Sequence, residues 1–126
     1  MALPKSGSAQ GMEDNLKKAV TEMLVLALLQ EEDMYAAQIT QTLEERSGGM
    51  LNIVFPYSVL YRLINFGYIV EAYKKIAPDG RRRQYYQITQ SGRTYGKELL
   101  ELYYRFSGGV RQLLDHKAEQ AEPQGE

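Results

Sequence analysis

Between Gly67 and Thr89 the chain changes its hydrophobic period, and that change most limits the folds open to it. Before Gly67 the apolar residues recur at three- and four-residue steps, the spacing of helices that bury one face. After it, Tyr68 to Ile76 is rich in β-branched and aromatic residues with partial alternation, which predicts a strand. Ala77-Pro78-Asp79-Gly80 then reads as a turn, Asp-Gly being a strong hairpin signal, and Arg81 to Ile88 as the returning strand. With 126 residues and no internal repeat there is room for one domain around this ribbon.

Helices flank the ribbon. Residues 1–12 are small and polar and predict a disordered leader. From Glu13, with Asp14 as N-cap, Leu16, Ala19, Val20, Met23, Leu24, Ala27 and Leu28 form one apolar face. Val25, Leu26 and Leu29 make the second half apolar on most sides, so it should be deeply buried. Asp33 caps a second helix, about 34–46, which carries Tyr35, Ile39 and Leu43 at i, i+4, i+8 and stops at Ser47-Gly48-Gly49. Met50 to Phe55 is a short strand or an extended connector. Pro56 suits the first turn of a third helix, about 56–66, which buries Val59, Leu60, Leu63 and Ile64. Thr89 or Ser91 caps a last helix over 90–115, and residues 116–126 predict a disordered tail. The expected fold class is mainly α with a small β-hairpin. It comprises a winged helix-turn-helix domain at 13–89 and a C-terminal dimerisation helix at 90–115.

Composition excludes several chemistries. Without cysteine there is no disulfide framework, thiolate metal site or cysteine nucleophile. The single histidine, His116, sits in a polar stretch, so catalytic triads and His-ligated metals have almost nothing to build on. We expect no enzyme, cofactor or metal. The longest apolar run, Met23 to Leu29, is too short to span a membrane, and residues 1–11 lack the apolar core of a signal peptide. A cytoplasmic protein is expected.

The formal charge of −1 conceals a strong asymmetry. Residues 1–56 hold four Lys/Arg against eight Asp/Glu, and residues 94–126 hold four against six. Residues 57–93 hold seven against two, a net of +5. Screening acts over about 8–10 Å, so a phosphate would feel this basic island and not the total.

The hairpin carries a resemblance. Gly80-Arg81-Arg82-Arg83-Gln84-Tyr85-Tyr86-Gln87-Ile88-Thr89-Gln90-Ser91-Gly92 resembles the wing signature of the PadR family of bacterial transcriptional regulators. Leu43 to Gly49 resembles the family's end of the second helix. Tyr57, Leu60, Arg62, Leu63, Gly67 and Ile69 resemble its recognition helix and exit. The motifs cover about residues 20–95. Val54, Phe55 and Pro56 depart from the family's small-residue turn and Thr-Leu, and Asp33-Met34 replaces its histidine or glycine before Tyr35. The resemblance implies a homodimer on a palindromic DNA operator, acting as a repressor relieved by a small aromatic effector.

Specific side chains fit those expectations. Arg81, Arg82 and Arg83 follow a tight turn, and guanidinium pairs bidentately with phosphate or enters a narrow minor groove. Alternation sends Arg82 to the face opposite Arg81 and Arg83, and one of the three can instead pair within the protein. Lys74 and Lys75 thicken the charge. Tyr57, Ser58, Tyr61 and Asn65 share one side of the third helix and would face the major groove, although Tyr57 and Tyr61 also suit partial core packing. Tyr35 either donates to a phosphate or covers the core. Of Tyr85 and Tyr86, one should pack under the wing and the other support the arginines. Tyr95, Leu99, Leu102, Phe106, Val110 and Leu113 form a coiled-coil-like seam for the dimer. Gly108-Gly109 interrupts that helix and predicts a kink. Tyr103, Tyr104 and Phe106 would line an effector pocket, with ordinary packing as the alternative. The same winged helix could instead serve as a protein-interaction module that binds an acidic partner without touching DNA.

Overall fold

The computed structural model describes residues 7–53 and 57–121, with side chains through His116. Residues 1–6, half of the expected leader, are therefore outside the described residues, as are Val54, Phe55, Pro56 and the end of the tail. The described chain divides into two units, ending and beginning at Gly96 and Lys97.

The first unit opens with α1, Ala9–Glu31, which starts earlier than the apolar pattern indicated. Ser8 is its N-cap: the Gly11 N–H donates to Ser8 Oγ at 3.0 Å. Asp14 is one turn inside. The second half of α1 is buried as expected, with Val25, Leu26 and Leu29 at 0–1% exposure, whereas Leu16 is exposed.

The second helix is shorter than its apolar spacing implied. Met34–Tyr35 form a two-residue strand, β1, and α2 spans Ala36–Arg46 with Tyr35 as its N-cap. Asp33 does not cap it. The Asp33 carboxylate instead accepts from the Tyr73 hydroxyl at 2.7 Å and from Gln87 Nε2 at 3.3 Å. α2 buries Ile39 and Leu43 and ends in Gly48 and Gly49, both at positive φ. α3 spans Tyr57–Asn65 and buries Val59, Leu60 and Leu63. Gly67, at φ 78°, closes it, with the Gly67 N–H bonded to Ile64 O and the Tyr68 N–H to Leu63 O at 2.9 Å each.

β2, Ile69–Ile76, and β3, Arg82–Ile88, form the hairpin, joined through Gly80 at φ 84°. The sheet has three antiparallel strands in the order β1-β3-β2, not the two of the expected ribbon. β1 pairs Met34 with Tyr86 and Tyr35 with Tyr85. A two-residue strand shows no alternation, so local pattern could not reveal it. A bulge between Glu71 and Tyr73 shifts the register of β2. The core joins Val25, Leu26 and Leu29 of α1 to Met34, Ile39, Leu60, Leu63 and Ile69 from four other elements. Each such side chain contributes about 1.5–3 kcal/mol of burial.

α4 runs Gln90–Ala121, longer than the expected helix, so the first residues of the expected tail are helical. Thr89 caps it, accepting from the Gly92 N–H at 3.0 Å. The helix is uninterrupted across Gly108-Gly109, where a kink was expected. Glycine lowers helix propensity by about 1 kcal/mol against alanine, and the good helix formers within two turns on either side, Leu102, Arg105, Arg111, Gln112 and Leu113, favour continuation.

Candidate nucleic-acid interface

The exposed side of α3 is built by elimination. Val59, Leu60 and Leu63 turn inward, so Tyr57, Ser58, Tyr61 and Asn65, each one or two positions from a buried residue and the others three or four from Tyr61, turn out. Tyr57 and Tyr61 are 58% and 55% exposed, and Ser58 and Asn65 are exposed with them. The four residues expected to share this face do share it. Beneath lies Tyr86, whose phenol is pushed up from its ordinary value first by burial and then by Glu71. It is thus held protonated. Arg62 also lies on the exposed side but is paired: its Nε and Nη2 donate to Glu22 Oε2 of α1 at 3.1 and 3.0 Å.

The hairpin sorts its cations by strand pairing. Tyr73 faces Tyr85 and Lys75 faces Arg83 on one side of the ribbon; Lys74 faces Gln84 and Ile76 faces Arg82 on the other. On the first side the Tyr85 ring stacks on Tyr73 at 5.3 Å and meets Tyr35 edge-on at 5.4 Å. The Lys75 ammonium lies 4.7 Å from the Tyr85 centroid, and the Arg83 guanidinium 5.2 Å from that of Tyr35.

Arg83 is also held by charge. Its Nη2 and Nε donate to Asp79 Oδ2 at 2.7 and 3.1 Å, while the Arg81 N–H donates to Asp79 Oδ1 at 3.0 Å. The bond from Arg83, and then that from Arg81, holds the Asp79 carboxyl below the usual carboxylate range. Arg83 is therefore the one arginine of the three that pairs within the protein. Arg81, Arg82 and Lys74 are exposed and have no acidic partner among the described residues. Arg82 stands on the face opposite Arg83, as alternation predicted.

Packing bears on three of the expectations. Tyr35 is 9% exposed and packed against Tyr85, so its ring covers the core. Tyr85 and Tyr86 are both 5% exposed although they point to opposite faces of β3: Tyr85 packs between Tyr35 and Tyr73, and Tyr86 lies on the α3 side. Tyr95 is half-buried within its own chain: its ring stacks on Tyr68 at 4.3 Å, and its hydroxyl donates to Glu22 Oε1 at 3.2 Å. It does not stand open with the rest of the seam. Sequence reading also missed Asp79 and Glu22 as partners of arginines. The i, i+4 spacing of Asp79 and Arg83 around a tight turn was a usable signal. Glu22 and Arg62 are 40 residues apart and offered none.

The second unit consists of the later part of α4. Leu102, Phe106, Val110 and Leu113 are 44–69% exposed and Leu99 is half-buried, recurring at three- and four-residue steps. Tyr103 and Tyr104 meet edge-on at 5.7 Å and, with Phe106, are also exposed. Among the described residues no group of acidic or histidine side chains could hold a metal ion, and no helix is long and apolar enough to cross a membrane.

Comparison with known proteins agrees with this geometry. A family model described as the transcriptional regulator PadR-like family matches residues 25–98. An uncharacterised protein from Lysinibacillus sphaericus is 33% identical over 82 residues, covering 64% of this chain and 74% of that protein. A transcriptional regulator from Clostridium thermocellum is 25% identical, with TM-score 0.66 over 78% of this chain and 96% of that one. A PadR family transcription regulator from Clostridium difficile is 27% identical, with TM-score 0.57 over 75% of this chain and 98% of that one. The two solved structures are of transcriptional regulators, and the family match runs from the second half of α1 through the hairpin to the start of α4. The chain belongs to the PadR-like family of transcriptional regulators.

Proposed function

We propose that the protein is a homodimeric, sequence-specific DNA-binding regulator. The observation that carries this reading is the uncompensated charge of Arg81, Arg82 and Lys74 on the hairpin, in the same unit as an α3 face that exposes Tyr57, Ser58, Tyr61 and Asn65. Helix residues of these types reach base edges and phosphates in the major groove, Asn65 suiting adenine, while wing arginines take the backbone or a narrow minor groove. Arg83 is tied to Asp79 and contributes mainly to holding the wing.

Dimerisation through α4 rests on its open apolar stripe at Leu102, Phe106, Val110 and Leu113. A twofold dimer would offer two α3 helices to palindromic half-sites about 34–36 Å apart. Repression, with release by an aromatic effector near Tyr103, Tyr104 and Phe106, rests on the family resemblance and on the exposure of those rings.

Affinity for a duplex selected by the protein from a random pool, measured against salt, tests the reading. The log–log slope should be about −0.9 per phosphate neutralised. A flat slope overturns it and favours an acidic protein as the partner of the basic island.

A further inference from the structure

Glu22 lies on α1, is distant in sequence from both α3 and α4, and touches both. One oxygen accepts twice from Arg62 of α3, at 3.1 and 3.0 Å, and the other accepts from the Tyr95 hydroxyl of α4 at 3.2 Å. Its side chain is 25% exposed, so solvent screens it only in part. Around this carboxylate the start of α4 is locked to the end of α3. Thr89 Oγ and Ser91 Oγ both donate to Gly67 O, at 2.7 and 3.0 Å, and the Thr89 N–H donates to Tyr68 O at 3.0 Å. A Cβ on Gly92 would overlap the Tyr68 carbonyl oxygen, so only glycine allows this approach. Tyr95 stacks flat on Tyr68, the planes 13° apart, and Gly96 lies against Leu26 and Gln30 of α1.

We infer that Glu22 and Tyr95 are positioning residues for DNA recognition: through Arg62 they set the roll of α3 relative to the first turns of α4. The inference rests on the proposed DNA-binding function. Neither residue contacts DNA in this scheme. The hydroxyl bonds from Thr89 and Ser91 to Gly67 O fix the C-terminal end of α3 to the start of α4, and the Glu22–Arg62 bonds fix its flank to α1. Core packing of Val59, Leu60 and Leu63 sets which face of this nine-residue helix is inward, and the two polar anchors narrow the small rotations that packing still allows. Base-edge recognition needs placement within about 0.5 Å and 10–20°. Phosphate pairing by the exposed wing arginines, which are long side chains reaching a repeating backbone, tolerates more. Loosening the joint should therefore weaken specific binding and spare non-specific binding.

The test uses the full-length chain with Tyr95→Phe, Glu22→Gln, Arg62→Gln and the Tyr95→Phe/Glu22→Gln double variant. The phenylalanine keeps the stack on Tyr68 and loses only the hydroxyl. Affinity is measured for the selected duplex and for a random duplex across a salt series, beside thermal melting. Tyr95→Phe and Glu22→Gln should each weaken selected-site binding about fivefold, the lower end of a typical coupling between sites. For Tyr95→Phe, random-duplex affinity should stay within about twofold and the salt slope should not change; Glu22→Gln also unpairs Arg62, so its slope should become more negative, by at most about 0.9 per protomer. The double variant should lose no more than the worse single one. Selected-site affinities within about twofold of wild type overturn the inference, as do losses that are additive and equal on both duplexes. If the wild-type chain itself binds no duplex in a salt-dependent way, the DNA-binding function fails and this inference falls with it.

Discussion

Arg83 and its two neighbours give the sharpest prediction, because three adjacent guanidiniums are assigned two different jobs. Arg81 and Arg82 are exposed without an acidic partner, while Arg83 donates to Asp79 at 2.7 and 3.1 Å and lies over the Tyr35 ring. A cation already neutralised within the protein displaces few counterions from DNA. Removing one arginine–phosphate pairing should flatten the log–log salt dependence by about 0.9. The Arg81→Ala/Arg82→Ala double variant should therefore have a slope less negative by about 1.8 for each protomer on the DNA. Between 50 and 200 mM salt those two pairings account for about a twelvefold change in affinity, which the variant should not show. Arg83→Ala should leave the slope almost unchanged. Asp79→Ala should release Arg83 and make the slope more negative by about 0.9 per protomer. Fluorescence anisotropy titrations over a salt series would measure all four slopes. If Arg83→Ala flattens the slope as much as either neighbour does singly, and Asp79→Ala does nothing, the division of labour on the wing is wrong.

Other consequences are open to measurement. Gly92→Ala should lower the melting temperature by several degrees, since relieving the overlap with Tyr68 O costs about 1–3 kcal/mol; an unchanged circular-dichroism melt would contradict the close approach. The folded pKa of Asp79 is depressed, so its pairing stabilises the fold fully above the unfolded value of about 3.9, and that contribution disappears as the pH falls through the folded value. In an NMR titration the Asp79 midpoint should rise toward the ordinary carboxylate value in Arg83→Ala, and an unmoved midpoint would show that the bond is not its cause. Phe106→Glu places a charge on the open α4 stripe and should weaken self-association at least about tenfold in sedimentation velocity, whereas equal association would place the dimer interface elsewhere.

Much of the fold was legible in short stretches. The buried second half of α1, the glycine stops at Gly48-Gly49 and Gly67, the turn at Asp79-Gly80 and the Thr89 cap each depend on residues within a few positions of one another. Errors clustered where a local signal met a distant partner. Asp33 had the chemistry of an N-cap, yet Tyr73 and Gln87 take its carboxylate. Tyr95 fell in step with the apolar seam, yet Tyr68 and Glu22 hold it.

The candidate interface divides the same way. Helical spacing alone put Tyr57, Ser58, Tyr61 and Asn65 on one face, and strand alternation alone put Arg82 opposite Arg83, because both periodicities follow from backbone geometry. The pairing of β1 with β3 decided that Tyr35 and Tyr85 are core residues, and Glu22 and Asp33 found their partners only once the elements were packed. Backbone period is a property of neighbouring residues, readable along a line. Which cation stays free for a phosphate depends on the acids that folding brings beside it, up to 40 residues away, and that is decided in three dimensions.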